Sequence, residues 1–174
     1  MLFVGRLVPE KGVWTVLKAW QKLSGIPIKI VGDGPQMDAM QTFVDEHQLG
    51  DVELMGRLSP DETLKAMKNA RALILPSEWY EPFGRVAVEA FAVGTPVIAS
   101  KVGAITELVT DGYNGVHFQS ANPDDLAQKV STLWAVPQKT TEMGKNARQV
   151  YEEKYTAERN YEFMMQIYES VRRN

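Results

Sequence analysis

The sequence predicts an α/β fold, a parallel sheet of about six strands with helices on both faces. Two observations carry this. Short β-branched runs alternate with longer segments of helical periodicity. Most of those runs are continuously apolar, as strands covered on both faces must be.

The first strand spans Leu2 to Gly5, and the helix after it, Gly12 to Ser24, sets Val13, Leu17, Trp20 and Leu23 on one face at helical spacing. A second strand from Ile28 to Gly32 runs into the loop Gly32-Asp33-Gly34-Pro35, and a third covers Val52 to Met55. Ser59-Pro60-Asp61-Glu62 is a capping box with proline at the first helical position, which starts a helix there. The fourth strand, Ala72 to Leu75, leads through a loop to a helix rich in valine and alanine around Glu89. The fifth and sixth strands are Val97 to Ser100 and Gly115 to Phe118, and Asn122-Pro123-Asp124-Asp125 is a second helix start. In the last segment, Thr156 to Arg172, apolar residues from Tyr161 to Val171 spread over roughly 200° of a helical wheel, where a one-sided contact needs a stripe of about 100° or somewhat more. Two readings stay open for it. The helix lies in a deep groove of its own domain with methionine filling gaps, or it also touches a partner domain.

The chain's 174 residues, 44% apolar and 24% charged, suit one soluble globular domain with a sizeable core. A net charge of −3 and a pI near 5.5 argue against a nucleic-acid binder, whose basic face would dominate the balance. Any anion site must therefore be local. There is no cysteine, which excludes disulfides and thiolate metal sites. The N-terminus is too short for a signal peptide and no apolar run is long enough to span a bilayer, so a cytoplasmic home is expected. The first strand is already under way at Leu2, which suggests an excised or split half.

Three loops follow C-terminal strand ends, where sheets of this kind place their ligands. The first, Gly5-Arg6-Leu7-Val8-Pro9-Glu10-Lys11-Gly12, carries two cations; Arg6 and Lys11 are either surface charges or a pair able to offset a diphosphate. The second sets Gly32 and Gly34 where a ligand can approach the backbone, though the same residues also make a plain turn. The third, Glu81-Pro82-Phe83-Gly84-Arg85-Val86-Ala87-Val88-Glu89, puts two carboxylates on either side of the free amides of a helix start, which attract an anion. Because its neighbours are almost all apolar, Glu89 is expected to be buried and so to need hydrogen-bond donors, ribose hydroxyls or backbone amides. Glu81, after Trp79 and Tyr80, is either a plain polar loop residue or a hydroxyl acceptor.

Taken in order, these motifs resemble the C-terminal, donor-binding half of retaining glycosyltransferases of the GT-B fold, specifically glycosyltransferase family 4. The resemblance runs from Gly5-Arg6-Leu7 and Lys11-Gly12 through Gly32-Asp33-Gly34-Pro35, Gly56-Arg57-Leu58, Pro76-Ser77, Glu81-Pro82-Phe83-Gly84 and Glu89-Ala90. It continues through Gly94-Thr95-Pro96-Val97 and Asp111-Gly112-Tyr113-Asn114-Gly115 to the Tyr-rich last helix. It implies a Rossmann-like domain over residues 1–155 that binds a nucleoside-diphosphate sugar such as a UDP- or GDP-sugar. Residues 156–174 would form a C-terminal helix packing partly on an N-terminal domain. Arg6 and Lys11 would bind the diphosphate and stabilise the leaving group, and Glu81 would hold hydroxyls of the donor sugar, which makes Arg6, Lys11 and Glu81 the implied catalytic residues. Gly5, Gly32 and Gly34 would line the donor site with the backbone of Pro82, Phe83, Gly84, Arg85 and Val86. Glu89 would hold the ribose diol, and Arg57 and Leu58 would meet the nucleobase.

The resemblance also implies retention of anomeric configuration, no metal and no cofactor; the chain has no Asp-x-Asp motif, and His47 and His117 stand alone. The loop after the fifth strand reads Gly103-Ala104-Ile105-Thr106-Glu107 where the family often has Gly-Gly followed by Pro-Glu. Transfer would need an acceptor-binding N-terminal domain or partner chain, through which the protein could also associate with a membrane. The alternative is a scaffold or regulatory module that kept the fold. A dehydrogenase or epimerase is disfavoured, because no G-x-G-x-x-G follows the first strand.

Overall fold

The computed structural model describes residues 1–172; Arg173 and Asn174, the last positions of the expected 156–174 segment, lie outside the described residues. The strands are β1 (Leu2–Val4), β2 (Ile28–Val31), β3 (Val52–Gly56), β4 (Leu73–Leu75), β5 (Val97–Ser100) and β6 (Gly115–Phe118). The helices are α1 (Val13–Trp20), α2 (Met37–Glu46), α3 (Pro60–Asn69), α4 (Arg85–Ala92), α5 (Ile105–Leu108), α6 (Pro123–Ala135), α7 (Pro137–Lys154) and α8 (Ala157–Arg172), with a 3-10 turn at Pro9–Lys11. All six expected strands form, within one residue at their ends. α7 lacks the apolar stripe that marks α1, whereas the more polar α2 carries Met37, Met40 and Val44 at helical spacing against the core.

All pairings are parallel and the strand order is β3-β2-β1-β4-β5-β6. Successive strands are laid down to one side of β1 as far as β3, and from β4 onward to the other. The loops leaving β1 and β4 therefore diverge and open a crevice at the C-terminal ends of these two neighbours.

Register sorts the strand side chains into two rows. Ile30, Phe3, Ile74, Ile98 and Val116 lie side by side and pack with α1, α2 and α6. On the opposite face Leu2, Leu73 and Val97 pack with α3, α4 and α5. Trp20, Phe91 and Phe118 are at most 2% exposed, and burying such a side chain is worth roughly 1.5–3 kcal/mol on transfer grounds. Coverage thins at the outer edge. Lys29 and Glu53, adjacent on β2 and β3, form an ion pair at 3.5 Å with both side chains more than half exposed.

Both expected helix starts are present. Ser59 Oγ accepts from the Glu62 amide at 3.3 Å while Glu62 accepts from the Ser59 amide at 2.9 Å. Asn122 accepts from the amides of Asp124 and Asp125, each at 3.1 Å.

The last helix departs from one expectation. No residue of α8 is buried, so it does not lie in a groove of its own domain. Tyr161, Ile167, Tyr168 and Val171 are all more than 60% exposed. The helix meets the body through α7, and the Thr156 hydroxyl caps it by accepting from the Arg159 amide at 3.2 Å.

α7 packs against α4 and the turn after it at one close point. A Cβ built on Gly144 would stand 2.4 Å from the carbonyl oxygen of Gly94. In an open helix, Gly→Ala would gain up to about 1 kcal/mol from propensity. Here overpacking, at roughly 1–3 kcal/mol, outweighs it. Gly144→Ala is therefore expected to lower the unfolding free energy in urea, by about 1–2 kcal/mol; a stabilised variant would show that α7 can move away from Gly94.

Candidate functional site

The β1 and β2 loops are zippered together. The Gly5 amide donates to Val31 O at 3.0 Å and the Leu7 amide to Asp33 O at 2.9 Å. A Cβ on Gly32 would lie 1.8 Å from Gly5 O, and one on Gly34 2.5 Å from Leu7 O. The backbone that approaches these two glycines is thus the neighbouring loop. Their small size serves loop packing, which fixes the direction in which β1 releases Arg6.

Lys11 ends the 3-10 turn and leads into α1. The loop after β4 comes to meet it. The Glu78 amide donates to Glu10 O at 2.9 Å, and Thr15 Oγ1 on α1 donates to Glu78 Oε1 at 2.6 Å. Lys11 Nζ donates to Glu81 Oε1, which also accepts from Ser77 Oγ at 2.7 Å. Ser77 is fully buried and its carbonyl accepts from Ser100 Oγ on β5 at 2.6 Å. Burial raises the Glu81 pKa, but the hydrogen bonds from Lys11 and Ser77 and the charges of Lys11 and Arg6 outweigh it and hold the carboxyl below its ordinary value. The Arg6 side chain stays 74% exposed and pairs with Glu10 at 4.0 Å.

The structure thus brings Arg6, Lys11 and Glu81 together, but pairs Lys11 with Glu81 in the free protein. Ser77 is a site residue to which the sequence assigned no role. Its signals were its place in the Pro76-Ser77 pair of the resemblance and its position just beyond the C-terminal end of β4.

Gly84 caps α4 without a side-chain hydrogen bond; the Ala87 amide donates to Gly84 O at 2.9 Å, which leaves those of Arg85 and Val86 uncapped at the crevice. Glu89 lies on the same helix. Its side chain is 35% exposed and forms an ion pair with Arg85, Nε to Oε1 3.1 Å. The expectation of a buried Glu89 fails for a physical reason. Only Ala87, Ala90 and Phe91 of α4 are buried, and the side bearing Arg85, Val86 and Glu89 lines an open groove. This groove, about 680 Å³, is closed by Gly5, Arg57, Leu58 and Thr63. A second groove, about 600 Å³, is lined by Arg6, Lys11, Trp79, Tyr80, Glu81 and Pro82. The consecutive residues Gly5 and Arg6 belong one to each groove, so the two adjoin across the end of β1.

Phe83 is half exposed and meets Tyr155 edge to face at 6.1 Å between ring centres, which ties the β4 loop to the end of α7. The two histidines take no part in either groove. His47 stacks on Phe43, and His117 Nε2 bonds Val109 O at 2.8 Å. Among the described residues no group of three His, Asp or Glu side chains could hold a metal ion, and no helix is long and apolar enough to cross a membrane.

Residues 1–150 match the model of the family described as glycosyl transferases group 1. The chain is 36% identical over 170 residues to an uncharacterized glycosyltransferase of Methanocaldococcus jannaschii, covering 98% of this chain and 48% of that protein. It is 36% identical over 154 residues to glycogen synthase of Mycobacterium tuberculosis, covering 86% of this chain and 37% of that one. Among solved structures, HepE of Anabaena in complex with UDP-glucose superposes with a TM-score of 0.87 at 27% identity, over 99% of this chain and 48% of that one. The chain therefore spans about half the length of these relatives or less.

The lowered Glu81 pKa sets a sign for the pH dependence of stability. A carboxyl depressed in the folded state contributes stability above its unfolded pKa of about 4.3 and loses it as pH falls through the folded value. Wild type is expected to exceed Glu81→Gln in unfolding free energy near neutrality, with the gap closing in acid below that unfolded value. A gap that did not change with pH would mean that the Lys11–Glu81 pair adds no electrostatic stability.

Proposed function

We propose, from the premise that this chain belongs to the glycosyl transferases group 1 family, that it binds the nucleotide-sugar donor of a retaining, metal-independent hexosyltransferase of glycosyltransferase family 4. The observation that carries this reading is the sequence of groups along the crevice. The groove at Arg57, Leu58 and Glu89 suits a nucleoside, the free amides of α4 and Arg6 suit a diphosphate, and the Lys11–Glu81 pair suits the sugar end. A nucleoside, a diphosphate and a sugar follow one another in the same order in UDP-glucose, the ligand of the HepE complex.

In this reading Glu89 accepts hydrogen bonds from the ribose diol, for which Arg85 must give way or share the carboxylate. Main-chain groups around Leu58 meet the base. Arg6, Lys11 and the α4 amides face the diphosphate, where negative charge grows as the glycosidic bond breaks. Fixed donors aimed at developing charge are the usual largest source of catalysis. Glu81 accepts from hydroxyls of the donor sugar through the lone pairs that Ser77 and Lys11 leave free.

A second, N-terminal half, in the same protein or on a partner chain, supplies most of the acceptor site, and transfer requires it. The apolar side of α8 is the contact for that half. Such a face is otherwise left in water, and exposed apolar patches of this kind mark interaction sites.

Titration calorimetry with UDP, GDP and ADP is expected to show binding of at least one. Arg6→Ala should weaken it by about tenfold or more, the value of one charge-assisted hydrogen bond to a phosphate. Silence with all three nucleotides would refute the reading. Deleting residues 157–174 is expected to leave nucleotide affinity unchanged and to move the melting temperature by less than about 2 °C, because no residue of α8 is buried. The deleted chain should no longer restore transfer when mixed with the acceptor-binding half.

A further inference from the structure

Trp79 and Tyr80 are 70% and 74% exposed, although the loop that carries them is held firmly. The carbonyl of Ser77 is fixed by Ser100 and the amide of Glu78 by Glu10. Tyr80 itself lies against Gly103, where an added Cβ would come within 2.9 Å of its ring and 3.4 Å of its Cα. Two large aromatic residues are therefore displayed on a rigid support, and both line the groove that contains Arg6, Lys11 and Glu81.

The composition of that groove selects its occupant. An apolar protein or lipid surface laid over it would strip water from Lys11, Glu81, Arg6 and Glu10 without replacing their hydrogen bonds, which is costly. A second anion gains little, because on the donor reading the diphosphate already engages the two cations there, each of which also has a carboxylate beside it. A neutral ring with an apolar C–H face and a rim of hydroxyls satisfies both parts. Its C–H bonds lie on the electron-rich aromatic faces, and its hydroxyls bond the charged groups. A pyranose is such a ring.

We propose that Trp79 and Tyr80 form a stacking platform for a hexopyranose unit of the acceptor, next to the sugar end of the donor; the placement rests on the donor reading above. Neither Trp79 nor Tyr80 lines the nucleoside groove, which begins on the far side of Gly5.

The test uses the indole N–H resonances of the chain's four tryptophans. Trp79→Ala identifies the signal of Trp79, while Trp14 and Trp20, whose Nε1 atoms donate to Gln36 and Ile26, serve as internal controls. With and without UDP, the protein is titrated with the methyl α-glycosides of glucose, mannose and galactose. At least one glycoside should shift the Trp79 signal saturably without moving the controls. Tyr80→Ala should weaken that glycoside by up to about tenfold, the scale of one aromatic stacking contact, and leave UDP affinity unchanged.

No shift with any glycoside would overturn the proposal. So would a shift produced by UDP-glucose and by no free glycoside, which would give the platform to the donor's own sugar. A glycoside shift in a protein that binds no UDP, GDP or ADP would leave the platform standing and remove the donor reading. Nucleotide binding without any glycoside response would do the reverse.

Discussion

The pairing of β1 with β4 is the constraint on which the crevice depends. These strands are neighbours in the sheet but start 71 residues apart in sequence, at Leu2 and Leu73. The chain winds away from β1 to one edge, returns through α3 and winds to the other, so two loops that nothing in local sequence connects leave the sheet side by side. Lys11 and Glu81 then meet across a separation of 70 residues. The same pairing sets the α4 amides beside the end of β1. Shifting the β1–β4 register by one residue would exchange Phe3 and Leu2 between the two core faces, a change that both hydrophobic clusters oppose. Core packing and crevice geometry are thus fixed by one interaction.

Much of the fold was legible because both faces of the sheet are covered. Runs such as Leu73-Ile74-Leu75 and Val97-Ile98-Ala99 have no polar alternation and admit few other assignments. Caps were legible for a local reason, since Ser59 and Glu62 bond each other across one turn. Helices α2 and α7 carry weaker marks. On α7 the buried positions are Thr140, Met143, Gly144 and Ala147, small or mixed residues that give no apolar stripe. On α8 the breadth of apolar residues left two readings open, a groove within the domain or a partner, because breadth records how much surface asks for cover and says nothing of which body supplies it.

The crevice divides along the same line. That Arg6, Lys11, Glu81 and Glu89 surround it followed from their position at strand ends. How they are paired did not. Glu89 was expected to be buried because its neighbours in sequence are apolar, yet on a helix the neighbours that matter are three and four residues away, and Arg85 stands at the fourth. The requirement for glycine at positions 32 and 34 comes from the neighbouring loop, a contact invisible until β1 and β2 are paired. Ser77 stood in the Pro76-Ser77 pair of the resemblance, but with no role attached. It matters because it is buried at the strand end with its hydroxyl turned to Glu81.

The pairing changes the electrostatic account of the crevice. An acidic chain, net −3, can attract a diphosphate only through a local field. Of the four cations there, Lys11 and Arg85 are each in contact with a carboxylate, Arg6 meets Glu10 only at 4.0 Å, and Arg57 has no ion pair among the described residues. Arg6, Arg57 and the uncapped amides of α4 therefore supply most of the unspent positive potential, and Arg6 and the amides adjoin the point where the two grooves meet. On the proposed reading, Lys11 is then shared between Glu81 and the phosphate. That coupling has a chemical use: charge building on the leaving diphosphate draws Lys11 away from Glu81, and the freed carboxylate becomes a better acceptor for sugar hydroxyls. Two ends of one ligand are linked through one ammonium group, which an arginine, locked into bidentate geometry, would do less readily.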